Sequence, residues 1–501
     1  MFTALTIVVA LGILAWGFNR ARPYGKIGIL AWLQSVVLMA PWILFFGLFA
    51  AGIYLNLAGM LLLFVVSTGI YIWIGRQLRT EGQELLTKRA AAKVAPPSAN
   101  ASVTESALSN VEGATEATPT PPSSAIPPVE AVSIPEADLQ TIKSIFGIDT
   151  FFLTETIPYQ DGVIFRGNLR GEPEATLAKL TEKLTGQLDD RYRLFLIANE
   201  DEKPVVIALP SKNDPKPLTV TQTLLAIVLF VATIAASLET GGILLGFDFY
   251  SSPERYLEVL PFSLGILGVL LAHELGHWIA AKRYQVRLNL PFFIPTWQIG
   301  SFGAITRFAS LLPNRTALFD IAVAGPIAGG LVAFGMLIAG LLLSHEGGGF
   351  KVPSQFFEGS ILVGTLARVI MGAAIQQSIV EVNPLVVLGW IGLVVTAINV
   401  MPAGQLDGGR VVQAIYGRKT ASWATVATIV ILGLASLVNP LALYWAIVIV
   451  VLQRNPERPS LNELSEPDDA RAAIGLLVLF LMVTILLPLT PSLAGRLGIG
   501  G

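Results

Sequence analysis

The sequence predicts a polytopic α-helical membrane protein of about eight to ten spans, with a small soluble α+β domain inserted ahead of its main block of helices. Three observations predict it. Of 501 residues, 53% are hydrophobic and only 14% charged, with a mean hydropathy of +0.66, whereas soluble chains carry roughly 25% charged residues. Apolar stretches of about 20 residues recur, the length that crosses about 30 Å of hydrocarbon at about 1.5 Å per residue. Between residues 76 and 217 that pattern lapses and ordinary polar composition takes over.

Residues 1–75 read as N-terminal transmembrane segments, a short span over 1–17 and a hairpin of two over 27–74 with a break near Asn56. Arg20, Arg22 and Lys26 precede the hairpin, and Arg76, Arg79, Lys88 and Arg89 follow it. The positive-inside rule then places the N-terminus outside and the following segment inside. A cleaved signal peptide competes for residues 1–17, against the missing basic n-region and small-residue cleavage site. Residues 76–135 are basic and then rich in Pro, Ala, Ser and Thr, with no Lys or Arg after Lys93. Such a stretch buries too little apolar surface to offset its ordering entropy and is expected to be a disordered linker. Residues 136–217 regain soluble composition. Helical spacing over Glu136–Phe146 and Glu172–Leu188, with strand-like FFLTETIPY, GVIFRGN, YRLFLIAN and PVVIALP, predicts a small cytosolic α+β domain.

Residues 218–453 hold spans near 218–238, 260–281, 316–343, 383–402 and 420–453, and a final segment, 454–501, adds a polar loop and a span near 472–490. The loop over 239–259 is acidic, as an external loop is, while Lys282, Arg283 and Arg287 follow the next span on the internal side. The stretch 420–453 is too long for one upright helix and contains Asn439-Pro440, which predicts a break. No internal repeat is visible, which weakens a transporter built from inverted halves.

Composition also bounds the chemistry. A net charge of −2 gives no global attraction to nucleic acid. With no cysteine, a metal must be held by histidine and carboxylate. The chain has three histidines, and two of them fall in His273-Glu274-Leu275-Gly276-His277, near the cytosolic end of the 260–281 span. Residues i and i+4 share a helix face, so both imidazoles can meet one zinc ion with Glu274 beside the open position. Packed, satisfied core histidines are the alternative. Ionisable groups at membrane depth are costly and usually functional, which favours the metal reading. A catalytic zinc takes three protein ligands. The third histidine, His345, lies in a loop that the charge pattern puts on the opposite side. Asn399-Val-Met-Pro402-Ala-Gly-Gln-Leu-Asp407-Gly408-Gly409-Arg410 is the other candidate, where Pro402 breaks the helix and the glycines allow close approach. Spacing leaves Asp407 open between third ligand and an ordinary helix-capping aspartate.

A transmembrane H-E-x-x-H helix followed by N-x-x-P-x-x-x-x-D-G resembles the site-2 protease family of intramembrane zinc metalloproteases. The resemblance spans roughly 218–453 and implies a catalytic core there, with one zinc per chain on His273, His277 and Asp407 and with Glu274 as acid–base. It further implies that 300–305, GSFGAI, including Gly303, is a β-edge presenting the substrate backbone. Asn399, Pro402 and Gly408 are carried with the second motif, Asn399 holding either substrate backbone or the turn. Phe319–Gly329 is similar to the family's small-residue helix. Gly167-Asn168-Leu169-Arg170 is similar to a signature of the plant and cyanobacterial EGY-type branch (ethylene-dependent gravitropism-deficient and yellow-green). The implied partners are the lipid bilayer and transmembrane protein substrates, in a bacterial plasma membrane or a thylakoid. The alternatives are a non-proteolytic scaffold or chaperone, and a zinc- or proton-linked transporter.

Four further features have simpler readings. Asp320 is expected to be a helix-start charge or to make an interhelical hydrogen bond, Arg368 to snorkel from a re-entrant or interfacial helix, Phe292, Phe293 and Trp297 to form an interfacial belt, and Gly167–Arg170 to form a tight strand-end turn.

Overall fold

The structure, a computed structural model, describes residues 134–499 apart from 160, 200, 297, 346, 348, 349, 438 and 454, and parts of 17–78. Residues 1–16, 51–58 and 79–133, on which much of the N-terminal-span and linker expectation rests, lie outside the described residues, as does Trp297. Two compact units are present, Met1–Glu130 with Leu432–Ile447 and Ala131–Ile431 with Val448–Gly501. The first contains helix α1 (Gly25–Ala50), which carries Pro41 inside it.

The second unit begins with α2 (Glu136–Ser144), β1 (Phe151–Tyr159), β2 (Gly162–Leu169), α3 (Pro173–Leu188), β3 (Tyr192–Ala198) and β4 (Pro204–Pro210). Pro173 starts α3 at the position where a missing N–H costs nothing. Leu177, Leu180, Leu184 and Leu188 then recur at helical spacing and are buried. They pack with Phe151, Phe165, Leu196 and Val206 of an antiparallel sheet ordered β1-β2-β4-β3. The Gly167-Asn168-Leu169 run is strand rather than turn, because it pairs with Leu153, Phe152 and Phe151 across a bulge in β1. Edge strand β3 does not stay open. Leu196 N–H donates to Leu461 O (2.8 Å) and Glu463 N–H to Leu196 O (2.9 Å), while Leu461 N–H and Asn462 N–H reach Leu312 O (2.9 Å) and Pro313 O (3.0 Å). The 461–463 segment thus straps the sheet to the loop that ends just before Arg315.

Next come α4 (Val220–Leu244), α5 (Tyr256–Arg283), the hairpin β5 (Phe292–Thr296) and β6 (Gly300–Ile305), and α6 (Arg315–Leu343). They are followed by β7 (Phe350–Pro353), α7 (Ile361–Met371), β8 (Ile379–Val382), α8 (Pro384–Asn399), α9 (Asp407–Ala435), α10 (Pro440–Val448), which belongs to the first unit up to Ile447, and then α11 (Asp469–Leu486) and α12 (Pro491–Leu497). Among the described residues four helices are long and apolar enough to cross a membrane, Val220–Leu244, Pro253–Arg283, Arg315–Leu343 and Asp469–Leu486. The 420–453 stretch is divided, with α9 ending at Ala435 and α10 starting at Pro440, and α9 is kinked at Gly417 (φ 81°).

Between its ends helix α5 is mainly apolar outside the His273–His277 run. One face buries Ile266, Val269 and Leu270, while Leu264, Leu271, Leu275 and Trp278 on the other are at least half exposed, as suits a helix facing lipid. Among such helices apolar burial gives no driving force, so close van der Waals packing through small residues takes its place. Gly389 of α8 shows it: a Cβ there would lie 2.4 Å from the Leu337 nitrogen of α6. The expected interhelical bond of Asp320 is an ion pair, with Arg471 of α11 donating from Nε (2.7 Å) and Nη2 (3.0 Å). Arg368 turns back to cap its own helix, donating to Gly372 O (2.8 Å). Phe293 is not at an interfacial belt; it is 4% exposed and stacks near Phe230, 5.3 Å between ring centroids.

Candidate metal centre

Helices α5, α6 and α9 meet at one buried cluster. His273 Nε2 lies 3.0 Å and His277 Nε2 3.3 Å from Asp407 Oδ2, and the two ring nitrogens are 3.1 Å apart. Ligand atoms about 2.0–2.1 Å from a tetrahedral zinc stand about 3.3 Å from one another. These three side chains therefore fit zinc in donor type and spacing, and Glu274 has a carboxylate oxygen within 4.8 Å of both imidazoles. His277 Nδ1–H donates to Ile321 O (2.7 Å), which leaves Nε2 with its lone pair toward the cluster.

The small-residue run of α6 exists for this contact. A Cβ on Gly325 would lie 2.2 Å from His277 Nε2, and one on Gly276 would lie 2.4 Å from Ala324 O. Only glycine lets the two helices approach so closely.

Strand β6 closes another side. Gly303 has φ +100°, and a Cβ there would lie 2.2 Å from Asn399 Nδ2. Asn399 is 4% exposed and donates to Phe302 O (3.3 Å) and Val395 O (2.8 Å), tying β6 to α8. After α8 the chain turns through Pro402, whose carbonyl accepts from Thr428 (3.3 Å). It returns so tightly that a Cβ on Gly408 would lie 1.8 Å from Val400 O. His345 lies elsewhere, beyond the far end of α6, about 33 Å along the helix from Ile321 at about 1.5 Å per residue.

Three residues that sequence reasoning passed over complete the surroundings. Thr306 Oγ1–H donates to Glu274 Oε2 (2.6 Å). Arg410 is 4% exposed; its guanidinium is 3.8 Å from Asp407, donates to Thr306 O (2.7 Å) and meets Glu457 at 2.9 and 3.1 Å. A buried arginine would be costly alone, and Glu457 offsets that cost. Thr306 directly follows GSFGAI and Arg410 directly follows Asp407-Gly-Gly, so adjacency was the available signal; nothing in the sequence links Glu457 to them. Two cavities of about 10 Å³ flank the cluster. One is bounded by His273, Glu274, Gly303 and Asn399, the other by His277, Thr306, Gln405 and Asp407. Each has room for about one water.

Comparison with known proteins agrees. Residues 261–439 match Peptidase family M50, and residues 140–216 match the EGY3 middle domain. The chain is 39% identical over 405 residues to the probable zinc metalloprotease EGY1, chloroplastic, of Arabidopsis thaliana, covering 73% of each chain. It is 39% identical over 370 residues to the probable zinc metalloprotease EGY2, chloroplastic, of Oryza sativa subsp. indica, covering 72% of this chain and 67% of that one. To the rice EGY3 protein it is 31% identical, covering 72% of this chain and 65% of that one. No solved structure matches. With the H-E-x-x-H helix and the D-G motif brought to one cluster inside the matched region, the chain belongs to the M50 peptidase family, in its EGY branch.

Proposed function

We propose that the protein is a zinc-dependent intramembrane endopeptidase that cleaves other membrane proteins in or near their transmembrane segments. The observation that carries this reading is the 3.0–3.3 Å triangle of His273, His277 and Asp407, with Glu274 beside a water-sized cavity. His273, His277 and Asp407 hold the metal. When bound, zinc supplies Lewis acidity, polarising a carbonyl and bringing the pKa of water from about 15.7 toward about 7.

Glu274 takes the proton from the attacking water and delivers it to the leaving amine. The Thr306 hydroxyl holds one Glu274 oxygen, leaving the other for that proton. A helical substrate hides its carbonyls, so it unwinds before attack, and β6 receives the extended form. Asn399 and Gly303 keep β6 at the cluster.

In this reading 1–75 are N-terminal spans, 76–135 a linker, 136–217 a soluble α+β domain on the cytosolic side, 218–453 the catalytic core and 454–501 a loop with a last span, eight to ten spans in all by about 20 residues each. The relatives named chloroplastic support a chloroplast or thylakoid membrane, with a bacterial plasma membrane as the other reading.

The test is co-expression with a single-span membrane protein, wild type against Glu274→Gln. Wild type is expected to bind about one zinc per chain and cleave; Glu274→Gln keeps the zinc and loses cleavage. Equal cleavage in both returns the reading to a scaffold or transporter.

A further inference from the structure

A basic groove lies between the strapped sheet and the loop before α6. Two confluent hollows of about 650 and 350 Å³ share Pro215, Lys216, Leu311, Arg458 and Pro459 as walls. Lys212, Lys216, Arg307 and Arg458 line them and are exposed. Two acids are also present, but both are already engaged: Asp214 accepts from Arg193 Nε (2.9 Å) and Glu457 from Arg410. On the cationic side, Lys212 has a loose exposed partner in Asp161 at 3.7 Å, and Arg458 donates to the Asn213 carbonyl (3.1 Å). Lys216 and Arg307 make no ion pair among the described residues. The groove therefore has a net positive charge, over an apolar floor that includes Phe195 and Leu311.

Its position says more than its charge. Gln405 lines both this groove and the water-sized cavity beside His277 and Asp407. The β5–β6 hairpin also continues past its strand ends, with Asn289 N–H to Arg307 O (2.9 Å) and Ala309 N–H to Arg287 O (2.8 Å). One extended strand thus runs from Gly303 and Ala304 at the cluster to Arg307 and Phe308 in the groove. Three steps of about 3.3 Å lead from Ala304 to Arg307, about 10 Å.

We propose that this groove binds an acidic, extended segment of the substrate, with carboxylates about three to six residues from the cleaved bond on the side of the strapped domain. Charge complementarity sets the ligand class, and the shared strand and Gln405 set its distance from the cut. The inference rests on the protease reading for what happens to the segment, but not for its binding.

The test measures binding by full-length Glu274→Gln protein in neutral-lipid nanodiscs, by fluorescence anisotropy. The probes are a labelled twelve-residue peptide with four Glu and its Gln counterpart. The Glu peptide is expected to bind about tenfold tighter at low salt, and the preference to weaken as salt rises. A Lys216→Glu/Arg307→Glu/Arg458→Glu variant is expected to lose the preference while retaining about one zinc per chain, which reports an intact fold. Equal binding of the two peptides overturns the proposal, as does a preference that survives in the triple variant. So does a triple variant that loses only its association with anionic-lipid vesicles, which would make this a headgroup site. If peptide binding behaves as expected and wild type still cleaves nothing, the protease reading fails and the groove stands.

Discussion

The metal cluster and the basic groove share Gln405 as a wall, yet they are specified in opposite ways. Two of the cluster's groups and its proposed carboxylate base come from five consecutive residues on one helix, and the proposed third ligand opens another helix. The groove takes its cations from residues 212–216, 307 and 458, which only the 461–463 strap and the folded sheet bring near one another. Bond-making chemistry tolerates little geometric slack, and here most of its groups are written in two short motifs. Selection of a partner by charge tolerates more, and is assembled from distant pieces.

The largest way to break the cluster chemically is Glu274→Gln, expected to lower the cleavage rate by about 10²–10⁴ with zinc content unchanged. Gly325→Ala attacks the same cluster from α6. Its methyl would enter the space of His277 Nε2, and zinc affinity, read by competition with a chelator, is expected to fall about 10–100-fold. Thr306→Val frees Glu274 without touching a ligand; kcat is expected to fall about tenfold with zinc retained, and Thr306→Ser to restore it. A shift in zinc affinity instead of kcat would make Thr306 a structural residue.

The smallest effect belongs to the strapped domain. Burial, together with the hydrogen bond its hydroxyl donates to Asp138 (2.7 Å), pushes the Tyr192 phenol up to about 12. Below about pH 10 both folded and unfolded chains keep the proton, so stability does not respond. From about 10 to about 12 the unfolded chain ionises first, and stability falls as pH rises. Hydrogen exchange of β3 amides in the full-length protein should show this loss, and Tyr192→Phe should flatten it. An unchanged slope in Tyr192→Phe would assign the alkaline loss to another group.

Legibility in the sequence follows the same division. The leucines of α3 repeat at helical spacing, and the short apolar runs that become β1 to β4 are bounded clearly enough to be read as strands. Asn439-Pro440 announced the break before α10 because proline cannot continue a helix. Gly167–Leu169 looked like a turn because its composition is that of turns; a bulged partner strand 14 residues upstream makes it a strand instead. Phe293 looked like a belt residue because strand burial against α4 is invisible to composition. His273, Glu274 and His277 stood out through the rarity of histidine. The Arg410–Glu457 pair did not, since a buried charge declares itself only when its partner, 47 residues away, is seen beside it.

The two hollows of about 10 Å³ beside the cluster have a kinetic consequence. A peptide cannot enter a space sized for one water, so in the proposed reading a substrate reaches the cluster only once the hairpin has parted from α8 or α9. If that parting limits the rate, turnover depends steeply on temperature and membrane fluidity, and a solvent deuterium isotope effect stays near unity. A large isotope effect would show instead that proton transfer at Glu274 sets the pace. The enclosure also acts as a safeguard. In the proposed reading, a membrane helix that does not part the hairpin finds the cluster enclosed and is left intact.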